Sequence, residues 1–309
     1  MIESGTHTPG VSAADFRLPP HTALRYEQPA PALRAHLTSY AVLDSEAIDP
    51  DGTSEWMLPG WAQIWIIITD GPISVAIGNR RYDPLPTAVL YGVTSRAMPV
   101  TAHGGVSIAI DISPLGWARL FAQRADLLRD RVTPLQQVMS PAMVEELVTL
   151  IRDSDRSLQV KDLLDGFFLK HMAVPHPDEL QIAQVMALIA DHNTRDLVTA
   201  AAAIGIGLST LRRLSNRYFG FPPKTLMMRA RFLGSLLPMM MRPDRPDYAV
   251  LSPAYHDASH FIRDGKRFLG MTPRRFIALD TPYLDAALRA RRLVLGTPTP
   301  SLDGVSPDA

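Results

Sequence analysis

The chain has 309 residues, 46% of them apolar, with no cysteine and a formal net charge of zero. That length suffices for two domains of ordinary size, each able to bury a core. The absence of cysteine excludes disulfides and thiolate metal sites, and suits a reducing cytoplasm.

The zero net charge is unevenly spread. Residues 178–295 hold 17 Lys and Arg against 10 Asp and Glu, whereas residues 1–177 hold 14 against 19. A basic C-terminal half beside an acidic N-terminal half suggests that only the former meets phosphate, although ordinary drift of composition is the plainer explanation. Met1–Pro20 has no basic segment followed by an apolar run, so no signal peptide is expected, and the apolar run Trp65–Ile68 is too short to span a bilayer.

Residues 1–20 are polar and bear Pro and Gly, and are expected to be disordered. From Leu33 to about Ile112 the texture is strand-like: Ala62–Thr69, Ile73–Ile77, Thr87–Val93 and Val106–Ile112 read as strands between Gly, Pro and Asp turns. Several short strands of this kind predict a small antiparallel barrel or sandwich. Two helices follow. Ser140-Pro141 marks the start of one, with Val144, Leu147, Val148 and Ile151 on one face; Val160, Leu163, Leu164, Phe167 and Phe168 repeat the pattern. This pair packs either on the barrel or against a second copy of the chain. Residues 173–177, with two prolines, read as a linker, and 296–309 as a disordered tail.

Ile182, Val185, Met186 and Ile189 make the first amphipathic helix of the C-terminal half, and Asp196–Ile204 a second. Ala201-x-x-x-Gly205 then has the form of a helix-turn-helix: a small residue allows close approach of the next helix, and Gly takes the turn at positive φ. Gly207 is expected at the next N-cap. Beyond it, Leu211, Leu214 and Tyr218 form an apolar stripe, while Ser209, Thr210, Arg212, Arg213, Asn216 and Arg217 lie off it. Pro222-Pro223 opens a further helix with core positions at Met227, Met228, Phe232, Leu236 and Leu237, which Pro238 is expected to kink or end.

The pattern recurs fifty positions later. Leu211, Arg213, Arg217, Tyr218, Gly220 and Pro223 are matched by Phe261, Arg263, Arg267, Phe268, Gly270 and Pro273. Asp257 is a good N-cap for the second copy, with Ala258, Ser259, Ile262, Arg263 and Lys266 facing outward. A helix with one apolar and one basic face and a fixed stop, made twice, suits two successive grooves of double-stranded DNA. The start of such a helix meets base edges, where Arg can grip guanine in bidentate fashion. Ser209, Arg212, Arg213 and Asn216 are therefore candidate readers, and Arg217 and Lys224 candidate phosphate contacts. The plain alternative for any one arginine is a solvated helix face.

These residues resemble the AraC-type transcription regulators over about Asp178 to Phe276. The strongest pieces are Asp257-x-Ser259-His260-Phe261-x-Arg263 with Lys266-Arg267, Gly270-x-Thr272-Pro273, and Leu208–Arg213 with Gly220-x-x-Pro223-Lys224. The resemblance implies an α+β multidomain chain. Residues 21–172 would be a cupin-like β-barrel or sandwich with flanking helices, serving as sensor and dimerisation domain. Residues 178–285 would be an all-α DNA-binding domain of seven helices, with two helix-turn-helix units on a linker helix. It implies an activator or repressor at a promoter or operator, contacting bases through Ser209, Arg212, Arg213, Ala258, Ser259, Ile262 and Arg263, with Lys266 and Arg267 beside them. RNA polymerase, a small-molecule effector and a second copy of the chain are the further partners. His260 would pack or contact phosphate. The chain departs from the family at Ser215 and Gly265, where a bulky apolar residue is usual, and at Ala254-Tyr255, where Gly-Phe is usual. A missing aromatic at Ser215 or Gly265 could leave a cavity unless close packing compensates, and the altered turn at Ala254-Tyr255 could leave the second unit gripping backbone only.

The N-terminal half resembles cupin-like sensor domains through Gly92-Val93-Thr94-Ser95-Arg96 and Pro114-Leu115-Gly116-Trp117. Trp61, Trp65, Tyr91 and Arg96 would line an effector pocket, or else be core aromatics and a surface charge. A cupin-type metalloenzyme with an accessory DNA-binding domain is the competing function, as is a dimeric regulator that needs no effector. A cupin metal site needs a cluster such as His-x-His with later Glu and His, and His103 stands alone in the strand region. No Gly-x-Ser-x-Gly elbow and no phosphate-binding loop is present, so neither an enzyme nor a cofactor is expected.

Overall fold

The computed structural model describes residues 1–69, 71–191, 196–241, Tyr255 and 257–297. The N-terminal half consists of antiparallel sheet and the C-terminal half of helices. Ten strands run β1 Thr22–Glu27, β2 Leu37–Ser45, β3 Thr53–Met57, β4 Ala62–Ile68, β5 Ile73–Ile77, β6 Arg80–Tyr82, β7 Ala88–Tyr91, β8 Met98–Ala102, β9 Gly105–Ile112 and β10 Val132–Pro134. They form a six-stranded sheet, β1-β2-β9-β4-β7-β10, and a four-stranded sheet, β3-β8-β5-β6. The four strand runs expected between 62 and 112 coincide with β4, β5, β7 and β9.

Both faces of the larger sheet are covered, which explains the nearly continuous apolar run of β4. Ile64 pairs with Leu90 on one side and Ile110 on the other, and all three are fully buried. Side chains on this face pack against α1 Pro114–Leu120, α3 Pro141–Arg152 and α4 Val160–His171. Gln63, Trp65, Tyr91, Ala109 and Asp111 alternate with them and point the other way, toward the smaller sheet.

The α3–α4 pair packs on the barrel. Ser140 caps α3 by accepting from the Met143 amide, and Val144, Leu147 and Ile151 are buried. Tyr40 stacks on Phe168 and donates its hydroxyl hydrogen to Asp165 at 3.0 Å. A short helix α2 Ala125–Leu128 precedes them, and the helical half continues with α5 Glu179–Ala190, α6 Leu197–Ala203, α7 Leu208–Phe219, α8 Pro223–Met240, α9 Ala258–Leu269, α10 Pro273–Ile277 and α11 Pro282–Leu295. Helix α8 runs through Pro238 for two further residues.

The N-terminal segment departs from expectation. Residues 1–20 are ordered against the barrel rather than disordered: the Gly5 amide donates to Leu24 O, the Gly5 carbonyl accepts from Tyr26 N, and Ser12 caps a 3-10 turn at Ala13–Phe16. The physical reason is Phe16, fully buried in a cluster with Leu24, Tyr26, Ala290 and Val294, where α11 crosses β1. Most of the expected C-terminal tail, residues 298–309, lies outside the described residues.

The halves share their cores. One apolar cluster runs from Trp61, Val93 and Trp117 into Leu211, Leu214 and Phe219, and another joins Ala97 and Trp56 to Phe232, Phe268 and Phe276. An ion pair adds to the junction: Arg119 of α1 holds Glu179 at the start of α5 in two hydrogen bonds of 2.5 and 2.9 Å, and the guanidinium draws that carboxyl down to about 2. Buried His36 lies beside this pair, and burial, aided by the Arg119 charge against the pull of Glu179, lowers its imidazole from 6.5 to about 4. A lowered histidine favours unfolding when it must charge, so its contribution is complete above 6.5 and is lost as pH falls toward 4. In a proton NMR titration the His36 ring should therefore stay neutral at pH 6, and the urea midpoint should fall between pH 6.5 and 4; a His36 resonance titrating near 6.5 would contradict the assignment.

Candidate nucleic-acid interface and apolar cavity

Helices α6 and α7 meet at 88°, as a helix-turn-helix requires. Ala201 is fully buried at their contact, Gly205 takes the turn at φ +73°, and the Ile206 amide closes it on Ala201 O. Gly207 is the N-cap of α7. Leu211, Leu214, Tyr218 and Phe219 face inward, and the Tyr218 hydroxyl donates to Asp178 at 2.6 Å, fixing α7 to the start of α5. Ser209, Arg212, Arg213, Arg217 and Lys224 are exposed, with Thr210 and Asn216 half-buried.

The first helix of the second unit, expected from Tyr248, lies outside the described residues; its second helix, α9, repeats the features of α7. Asp257 accepts from the His260 amide at 2.7 Å and starts α9. Phe261 and Phe268 are fully buried against Phe232 of α8, whose ring is 5.3 and 5.5 Å from theirs. Ser259, Arg263, Lys266 and Arg267 are exposed, and Ala258 and Ile262 half-buried. Gly220 and Gly270 end α7 and α9 in the same left-handed conformation, both at φ +74°. Among the described residues, Arg212, Arg213, Lys224, Arg263 and Lys266 make no ion pair with the protein. Each unit thus presents an uncommitted basic face.

The second unit is not hollow at Gly265. A Cβ there would overlap the ring of Pro273, so the proline occupies the space of the usual apolar side chain. Ser215, at the equivalent position of α7, is fully buried. Ala254 lies outside the described residues. Tyr255 is buried, its hydroxyl donating to Asp264 at 2.8 Å and its ring lying 4.7 Å from the Arg231 guanidinium. His260 is half-buried against the Tyr255 ring and 3.1 Å from Arg231 Nη2, a packing role.

A cavity of about 260 Å³ lies between the two sheets, with α11 forming one wall. Trp61, Trp65 and Tyr91 line it; Arg96 is exposed and does not. The Trp65 and Tyr91 rings lie 5.3 Å apart. The Tyr91 hydroxyl is buried without a hydrogen-bond partner among the described residues, and burial raises its pKa, so it keeps its proton.

Helix α11 is held at both ends. Glu55 of β3 accepts from the Tyr283 amide at 2.9 Å and the Leu284 amide at 3.5 Å, capping the helix start from another element. Burial raises the Glu55 pKa against the pull of these amides. Further along, buried Arg291 enters the sheet: its Nη1 donates to the Tyr26 hydroxyl, Ser39 Oγ and Asp111 Oδ2 at 2.8, 3.0 and 3.1 Å. Gln63 donates to the other Asp111 oxygen and accepts from Trp65 Nε1.

A second buried arginine ties α8 to the barrel. Arg229 donates to the carbonyls of Gly60 and Thr94 at 2.9 and 2.7 Å and stacks 4.6 Å over Trp61; burial lowers its guanidinium to about 9, with Asp130 opposing. The segment 92–97 thereby touches both units: Val93 is beside Gly220, Thr94 accepts from Arg229, and the Ala97 amide donates to Phe268 O at 2.7 Å.

Glu55, Asp111, Arg229, Arg291 and the whole of α11 escaped the sequence reading, whose DNA-binding segment stopped at 285. A signal existed for the arginines. Arg229 shares a helix side with Leu226 and Leu233, and Arg291 one with Leu284 and Leu288, so each cation sits where only burial is expected.

Among the described residues no group of three or more His, Asp or Glu is placed to hold a metal ion. No helix among them is singly long and apolar enough to cross a membrane. No family model and no curated protein matches the chain. Among solved structures it is similar to ToxT from Vibrio cholerae O395, at 14% identity over 74% of this chain and 93% of that one, with a TM-score of 0.43. Unsaturated fatty acid bound ToxT from Vibrio cholerae strain SCE256 gives 13%, 84%, 96% and 0.43. The AraC-like transcriptional activator CuxR gives 13%, 73%, 83% and 0.32.

Removing one member of a buried ion pair leaves a charge uncompensated, which costs about 3–5 kcal/mol. The side chains of Arg291 and Asp111 are 5% and 10% exposed. Arg291→Ala should accordingly lower stability in urea by about 3–5 kcal/mol, and a loss within about 0.5 kcal/mol, the usual range for a surface site, would show that Arg291 is solvated.

Proposed function

We propose that the chain is a sequence-specific DNA-binding transcription regulator of the AraC type, neither an enzyme nor dependent on a cofactor. The observation that carries this reading is the duplicated helix, α7 and α9, each with a buried apolar stripe, an exposed basic face and the same left-handed glycine stop. Arg212, Arg213 and Arg263, with Ser209, Asn216, Ala258, Ser259 and Ile262 around them, are assigned to base edges. Arg217, Lys224, Lys266 and Arg267 are assigned to phosphate. The close approach of Pro273 to Gly265 supports a packed core behind α9.

The cavity is assigned to a small-molecule effector. Its wall includes Tyr283, Leu284 and Leu288 of α11, so an occupant would touch both halves. Trp61 stacks under Arg229 and meets Phe219 of α7 at 5.8 Å, which gives an occupant a physical route to the first unit.

Selection of DNA from a random pool by the full chain at stated salt tests the reading. The expected product is a motif spanning two successive major grooves. Arg212→Ala, Arg213→Ala and Arg263→Ala should each weaken binding to it by about 1–3 kcal/mol, with a smaller effect on random DNA. Equal losses on selected and random sequence would make these residues phosphate anchors, and absence of any enriched motif would contradict sequence-specific recognition.

A further inference from the structure

Resting on the assignment of the cavity to an effector, we infer that the ligand is an uncharged, largely apolar molecule. The argument starts from the charges in the wall. The lining side chains include two acids, Glu55 and Asp111, and one cation, Arg291. Each is already paired within the protein. Arg291 is 3.1 Å from Asp111 and also donates to Tyr26 and Ser39. The remaining Asp111 oxygen takes the Gln63 amide. Glu55 caps α11 through Tyr283 and Leu284.

A carboxylate ligand would find no surplus cation. Whether Glu55 is charged or protonated, the acids lining the cavity at least balance Arg291. Arg229 is not among the lining side chains, and its guanidinium is held by the Gly60 and Thr94 carbonyls. An ammonium ligand would have to break the Asp111–Arg291 pair or the α11 cap to gain an acid. Entry of either ion would therefore desolvate a charge without a partner, which is strongly unfavourable.

An uncharged ligand meets no such obstacle. The rest of the wall is mostly apolar and aromatic, led by Trp56, Trp61, Trp65, Leu284 and Leu288, and its polar members, such as Thr22, Thr53, Gln63 and Ser107, are uncharged. Apolar contact over most of a ligand's surface is the usual composition of a small-molecule site.

Four probes with one apolar body test this: 4-phenylbutan-1-ol, 4-phenylbutylamine, 4-phenylbutyrate and butylbenzene. Each is titrated to its solubility limit into the full chain at neutral pH. Fluorescence is the readout, since Trp56, Trp61 and Trp65 all line the cavity. The alcohol should bind at least about tenfold more tightly than either ion, the difference being an unpaired charge entering the wall. Either ion binding as tightly as the alcohol would overturn the uncharged class. If none of the four probes binds, the assignment of the cavity to a small molecule falls, and the inference with it.

Discussion

Two arginines from the helical half are buried in the strand half, and the architecture depends on that fact. Arg291 reaches an acid, Asp111, whereas Arg229 reaches two carbonyl oxygens and the face of Trp61. A cation taken from water at such a cost must keep its partners in place. Neither arginine has those partners within its own half. The helical half therefore cannot leave the barrel without returning two guanidinium groups to water and exposing the apolar clusters shared across the junction. In this arrangement the barrel sets how α7 and α9 are presented, through residues 92–97 and α8.

The cavity follows from the same constraint. A sheet covered by α1, α3 and α4 on one face must bury the other face as well, and the smaller sheet covers only part of it. Helix α11 covers the remainder, drawn in by Arg291 at one end and by the Glu55 cap at the other. The space left is lined by aromatic rings and by polar groups that already hold one another. An occupant would sit where β3, β4, β7 and α11 meet, next to the residues that carry the junction.

The repeat made the two basic helices legible in the sequence, because the apolar stripe, the arginines and the glycine stop recur at fixed spacing. The strands β4, β5, β7 and β9 were legible from short apolar runs between turn residues. Three of the four proposed pocket residues, Trp61, Trp65 and Tyr91, do line the cavity, whereas Arg96 is exposed. What stayed hidden was set by contacts distant in sequence. Phe16 orders the N-terminal segment only because α11 lies over it. Close packing at Gly265 could be suspected from the repeat, but only the fold identifies the Pro273 ring as what packs there. Glu55 serves as the cap of a helix more than two hundred residues away, which no local pattern records.

The claim that strand and helical halves form one cooperative unit is tested most directly by unfolding the full chain in urea with two probes. Tryptophan emission reports the strand half, where Trp56, Trp61, Trp65 and Trp117 all lie, and far-ultraviolet dichroism reports the helices, most of which belong to the other half. A single transition with coincident midpoints is the predicted result. Loss of helical signal in a separate, earlier transition, with tryptophan emission unchanged, would contradict it.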